Sequence, residues 1–131
     1  MQVEKDDDSS LKLGRVSKNV ERAIECTLPG DVFVYIKEEN LNAFAVRYPD
    51  DYLRRIEVIK DILSHPHFAA YLKEEETIYL FRTYYRNGIF RTFSLAIKKE
   101  KCWEFLSLSK TSEKKPLASH MRVNEIQNKK A

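Results

Sequence analysis

Four arginines and a set of aromatic, imidazole and hydroxyl side chains are the groups in this 131-residue chain best suited to chemistry. Arg82 and Arg91 fall on neighbouring strands of one expected hairpin. Arg86 sits at its tip, and Arg47 reaches toward the same sheet from a helix. Guanidinium groups that converge can grip a phosphate through paired hydrogen bonds. The same arginines can equally make ordinary salt bridges to the chain's 20 carboxylates. Tyr84 and Tyr85 offer ring faces to bases, or pair with residues across the hairpin. His65 and His67 flank Pro66. Imidazole titrates near neutrality and suits acid–base work, while a histidine at a helix end also serves as a local cap. Ser107 and Ser109 lie on one strand face, where hydroxyls can meet phosphate or simply water. His120 receives no role.

These residues need a sheet to position them. Residues 77–86 and 89–97 are runs of β-branched and aromatic side chains on either side of Asn87-Gly88. An Asn-Gly pair suits a type I′ hairpin turn, which requires positive φ at both central residues. A third run, 102–109, follows a Lys-Lys-Glu-Lys turn, so the sequence predicts an antiparallel meander. Alternation places Ile89, Arg91, Phe93, Leu95 and Ile97 on the face toward helices, and Phe90, Thr92, Ser94, Ala96 and Lys98 on the other. In the third strand it separates Cys102, Glu104, Leu106 and Leu108 from Trp103, Phe105, Ser107 and Ser109.

Upstream, Leu13, Val16, Val20, Ala23, Ile24 and Leu28 recur at helical spacing and predict a helix ended by Pro29-Gly30. Residues 31–36 predict a short strand, and 37–47 a short helix with Leu41, Phe44 and Ala45 inward. Pro49 breaks the chain at Tyr48. Asp50 or Asp51 caps a helix to about Ser64, with Leu53, Ile56, Ile59 or Lys60, and Leu63 as its buried stripe. Residues 68–72 predict a further helical turn or an extended segment. The outline is one domain at 13–112, a flexible leader at 1–12 and a polar tail at 113–131 with a short helix over 119–126. The fold class is α+β, with N-terminal helices packed on an antiparallel β-sheet.

A length of 131 residues suits one core, and the net charge of +3 permits nucleic-acid binding without requiring it. No apolar run approaches a membrane span, and the acidic start lacks a secretory signal, so the expected location is cytoplasmic with no membrane partner. Cys26 and Cys102 lack metal-ligand spacing. No metal or cofactor is called for.

The chain resembles a phage-borne branch of the barnase–EndoU–colicin–RelE group of small metal-independent ribonucleases. The resemblance rests on the strand at 31–36, on Ala43-Phe-Ala-Val-Arg-Tyr-Pro-Asp-Asp-Tyr52, on Asp61-Ile-Leu-Ser-His-Pro66, on Leu80-Phe-Arg82 and on Trp103-Glu-Phe-Leu-Ser107. It covers roughly residues 13–112. It implies a barnase/RelE-like fold, RNA as partner, and a cleavage site built from Arg47, Tyr48, Arg82 and Ser107, with Arg91, Tyr84, Arg86 and Ser109 holding RNA. Thr111 adds a hydroxyl to that set. The branch carries histidines where this chain has Ala43 and Tyr48. Cleavage needs a base for the ribose hydroxyl, an acid for the leaving oxygen and a cation for the developing charge. A tyrosine, with an ordinary pKa of about 10, is a poor base at neutral pH.

Two expectations follow. The first is an RNA-binding or RNA-cleaving protein, phage or mobile-element encoded, in which Arg47, Arg82 and Ser107 converge on one groove. Pro49 turns the Tyr48 ring toward the meander in that arrangement. The alternative is a catalytically inactive relative that acts by protein contact, such as a phage-encoded inhibitor of a host defence system, with a host protein as partner.

Overall fold

The computed structural model describes residues 10–24, 32–100, 102–111 and 123–126. It is a single-domain α+β fold with a seven-stranded mixed sheet and three helices. The elements run β1 (Ser10–Arg15), α1 (Asn19–Ile24), β2 (Phe33–Lys37), α2 (Glu38–Arg47), α3 (Tyr52–Ser64), β3 (Phe68–Leu72), β4 (Thr77–Arg86), β5 (Ile89–Lys99), β6 (Trp103–Thr111) and β7 (Asn124–Glu125). Sheet order is β1-β2-β6-β5-β4-β3-β7. Every pair is antiparallel except β2 with β6. The parallel pair corrects the expectation of a wholly antiparallel sheet: β2 joins through Val34 and Tyr35, which lie beside Trp103 and Glu104.

The expected meander is present as β4, β5 and β6. Its first turn carries φ of 53° at Asn87 and 77° at Gly88, the signature that a type I′ turn demands. Leu80 lies opposite Leu95 and Ile78 opposite Ile97, and all four are fully buried. The aliphatic face of β5 therefore joins the core, as the alternation predicts. On its opposite face Thr92 and Ala96 are buried as well. In β6 the alternation fails. Leu95 pairs with Leu108 and Ile97 with Phe105, with a register shift between them, so Leu106 is the extra residue of a bulge. Phe105 and Leu108 consequently pack on the core, while Leu106 is exposed.

A second bulge gives the first strand the spacing of a helix. Residues 10–15 form a strand, not the start of a helix, and α1 begins only at Asn19. Lys12 pairs with Tyr35 and Gly14 with Val34, so Leu13 is the extra residue in β1. The bulge spaces the buried residues Ser10, Leu13 and Val16 three apart, which imitates a helical stripe. It also brings Ser10, Leu11 and Lys12 of the expected leader into the sheet. The expected helix end at Leu28 to Gly30, and Cys26, lie outside the described residues.

In α3, Ile56, Ile59, Ile62 and Leu63 are buried, whereas Leu53 is 66% exposed and Lys60 is exposed too, correcting the predicted stripe. The buried four belong to one cluster with Val34, Ile36, Leu80, Leu95 and Ile97, and burial of each contributes about 1.5–3 kcal/mol. Asp51 stands at the N-cap position without a side-chain cap bond. Residues 68–72 are extended and pair with β4. In the tail, Asn124 and Glu125 pair with β3 and Ile126 is buried, so this part is not helical. Residues 112–122 and 127–131 lie outside the described set. Helix α3 touches both β1 and β4, which are separated by three strands, and α1 touches β3 and β7 at the far edge. Such contacts require the sheet to coil around its helical face.

Candidate functional site

Arg82 and Tyr84 share one face of β4, because residues two apart on a strand point the same way. Both meet Asp61, which the 3.6-residue repeat of α3 places on the flank of its buried stripe. Asp61 Oδ2 accepts the Tyr84 hydroxyl proton at 2.6 Å. The same oxygen lies 3.1 Å from Arg82 Nε. That second contact is Coulombic and not an aligned hydrogen bond, since the buried Nε–H is not directed at the oxygen. Arg82 Nη1 donates to the carbonyl of His65 at 2.5 Å. His65 closes α3, so the guanidinium also complements the negative end of that helix.

His67 completes the cluster. The Phe68–Phe81 pairing of β3 with β4 sets it beside Arg82. Its Nδ1 accepts the Thr83 backbone N–H at 3.0 Å, and its Nε2 lies 3.2 Å from Arg82 Nη1. Burial, and then the charge of Arg82, hold the imidazole below its usual pKa against an opposing pull from Asp61. The Thr83 N–H aimed at Nδ1 fits a ring that carries no proton on that nitrogen. Burial, followed by the bond to Asp61, pushes the Tyr84 phenol up to about 12. Beside the cluster runs a groove of about 460 Å³ lined by Arg54, Glu57, Val58, Lys60, Asp61, Ser64, His65 and Tyr84. Its charges are of both signs.

The residues assigned to cleavage do not converge. Tyr48 lies under the Arg55 guanidinium, 3.8 Å from ring centroid to Cζ, with Arg47 at 5.5 Å and the Phe44 ring at 5.2 Å. Arg55 is in turn 3.4 Å from Asp51. The Tyr48 backbone has φ of −127° and ψ of 65°. Its ring turns onto the first turn of α3 and not toward Arg82. Asp51 and Asp61 are ten residues apart on that helix, about 15 Å along its axis. Arg47 and Tyr48 therefore stand at the opposite end of α3 from Arg82. Ser107 pairs with Ala96 and Ser109 with Ser94, whereas Arg82 pairs with Phe93. Alternation puts both serines on the other face of the sheet from Arg82. The expected convergence of Arg47, Arg82 and Ser107 is thus corrected, and Arg82 meets a carboxylate instead.

The remaining assigned residues gather on a different feature. Pairing of β3 with β4 ends at Phe81, and pairing of β6 with β5 ends at Thr92. Between these limits Tyr84 to Arg91 pair only with one another among the described residues, so the hairpin projects as a two-stranded arm. Tyr84 faces Arg91 across it, and the Tyr84 ring meets Phe93 edge-on at 5.6 Å. On the other face the Tyr85 and Phe90 rings lie 4.7 Å apart at a tilt of 48°, with Tyr85 64% exposed. Arg86 and Arg91 are exposed and form no ion pair among the described residues. From Thr77 to Lys99 the chain carries five cations and no carboxylate.

Sequence reasoning raises His67 but does not single out Asp61, whose partners are 21 and 23 residues away. The signal that leads to both is the β3–β4 register, visible once 68–72 is read as a strand. No helix among the described residues is long and apolar enough to cross a membrane. Neither a family model, nor a curated protein, nor a solved structure matches the chain.

Proposed function

We propose that this chain binds RNA through the β4–β5 arm and does not cleave it. The observation that carries the reading is the arm itself: a projecting ribbon with Arg86 and Arg91 exposed, the rings of Tyr84, Tyr85 and Phe90 on its two faces, and no carboxylate. Guanidinium groups meet the phosphates of a strand while exposed rings stack on its bases. Ser109 is a strand away on β5's neighbour and adds no more than a hydroxyl at the arm's foot. Cleavage finds no support in the separation of Arg47 and Tyr48 from Arg82 and Ser107.

Fluorescence anisotropy with single-stranded RNA in EDTA, repeated over a range of salt, tests this. Affinity should fall steeply with salt. Arg86→Ala with Arg91→Ala should weaken binding and flatten the salt slope by about 1.4, two phosphates at about 0.7 each. Tyr85→Ala should cost about 1–3 kcal/mol if a base stacks there. Equal binding by the double arginine variant and the parent would sink the proposal.

A second reading, protein contact, draws on Val46 at the end of α2 and Leu53 at the start of α3, which are 80% and 66% exposed. A stoichiometric protein partner recovered from lysate, lost on Val46→Ser with Leu53→Ser and unaffected by nuclease, would favour it.

A further inference from the structure

We propose that His67 and Arg82 form a binding site for a phosphate-sized oxyanion at the foot of the arm. The site goes beyond the RNA reading and does not depend on it. The tautomer of His67 is set by its backbone partner. The Thr83 backbone N–H can only donate, and it points at Nδ1 from 3.0 Å. A neutral imidazole that accepts at Nδ1 must carry its proton on Nε2. Nε2–H then lies 3.2 Å from Arg82 Nη1, which is also a donor and has no lone pair to offer. Two donors thus face each other where a hydrogen bond between them is chemically impossible.

An acceptor placed between them resolves the conflict. An anionic oxygen about 2.8 Å from each nitrogen closes a triangle on the 3.2 Å base and accepts from both. Arg82 has a donor left for it. Its Nη1 spends one proton on the His65 carbonyl, and its Nε faces Asp61. The guanidinium also meets the Tyr84 hydroxyl, and the second proton of Nη1 remains for an acceptor. The side chain is 24% exposed, so the cluster is reachable from solvent. Asp61 is the carboxylate that touches this cluster, and its repulsion must be met. Its Oδ2 is engaged by the Tyr84 hydroxyl and lies at the Nε side of the guanidinium, away from His67. A tetrahedral oxyanion such as phosphate presents several oxygens, so one can bridge Nη1 and Nε2. The low basicity of His67 agrees with this geometry, because a neutral ring keeps Nδ1 free for Thr83.

Nitrogen-resolved NMR of the histidine rings tests the idea in the unmodified protein, with His67→Asn used for assignment. In that variant the introduced amide oxygen can still accept the Thr83 N–H, so the fold is kept while the Nε2 donor is lost. The expected spectrum of the parent at neutral pH shows His67 protonated on Nε2 and bare at Nδ1. Inorganic phosphate, titrated at constant ionic strength against chloride, should move the His67 nitrogens saturably in the low-millimolar range. Calorimetry should show phosphate bound at least about 10-fold more weakly by His67→Asn, the size expected for one charge-assisted bond. Arg86→Ala with Arg91→Ala should leave the phosphate response intact, which separates this site from the RNA reading. Two RNAs of one sequence, with and without a terminal phosphate, distinguish the source of the anion. Tighter binding of the phosphorylated strand assigns the site to a strand end, and equal binding alongside a phosphate response assigns it to free phosphate. A His67 proton on Nδ1, or ring nitrogens that phosphate does not move, would overturn the proposal.

Discussion

Removing the Asp61 carboxylate and the Tyr84 hydroxyl, singly and together, measures whether the helix and the arm are tied as described. In Asp61→Ala two contacts go. The ion pair to Arg82 is half-solvated, with Asp61 43% exposed, and is worth about 0.5 kcal/mol after screening. The 2.6 Å bond from Tyr84 is charge-assisted and contributes about 1.5 kcal/mol. The single variant should therefore lose about 2 kcal/mol. Tyr84→Phe keeps the ring on Phe93 and loses only the hydroxyl, so it should lose about 1.5 kcal/mol. Once Asp61 is gone the hydroxyl has little left to bond. The double variant should then lose about 2 kcal/mol and not about 3.5, a coupling of about 1.5 kcal/mol. Urea unfolding with constant slope provides the assay. Strictly additive losses would mean that the hydroxyl and the carboxylate do not meet in solution, and the account of the cluster would fall.

The pH dependence of the same pair has a definite sign. The Tyr84 phenol is raised from 10 to about 12 in the folded chain, so its stabilisation is complete below the unfolded value and is lost as pH rises through that window. Two pKa units correspond to about 2.7 kcal/mol, which solvent screening of this partly exposed group reduces to about 1 kcal/mol; a parent-minus-Tyr84→Phe difference in urea midpoints across alkaline pH should reveal it. Ala43→His with Tyr48→His should fold and leave RNA intact in a gel assay, because α3 separates these positions from Arg82; cleavage by this variant would restore the site implied by the resemblance. Gly88→Ala should cost about 1 kcal/mol in thermal unfolding through its φ of 77°, since an added Cβ meets only the Tyr85 hydroxyl, at an ordinary contact distance of 4.0 Å; no loss would exclude the type I′ turn.

Where local chemistry decides structure, the sequence is readable. Asn87-Gly88 dictates its turn, Pro49 and Pro66 bound α3, and the β-branched runs on either side of that turn pair as their alternation suggests. Three things are hidden for physical reasons. Bulges at Leu13 and Leu106 each insert one residue and shift the side-chain phase, so that a strand imitates a helix and simple alternation gives β6 the wrong faces. The parallel contact of β2 with β6 joins segments far apart in sequence and leaves no local mark. The Asp61–Arg82–Tyr84–His67 cluster depends on two registers at once, the rotation of α3 and the β3–β4 pairing. Neither Asp61 nor His67 differs locally from an ordinary surface residue. The arginines and tyrosines of the hairpin are legible as a group because the hairpin itself is legible.

The bulge in β6 also bears on how the molecule avoids its own kind. Beyond Glu104, residues 105–110 of β6 pair with β5 and with no other strand among the described residues. A straight, apolar strand edge is a template on which another copy can add a strand and begin an aggregate. Here Leu106 throws the strand into a sharper local twist, and Ser107, Ser109 and Lys110 follow it with polar and charged side chains. An incoming strand would find the ladder broken at its first step and a lysine near its end. The irregularity that obscures the faces of β6 in the sequence thus also serves to keep that edge unattractive to a second chain.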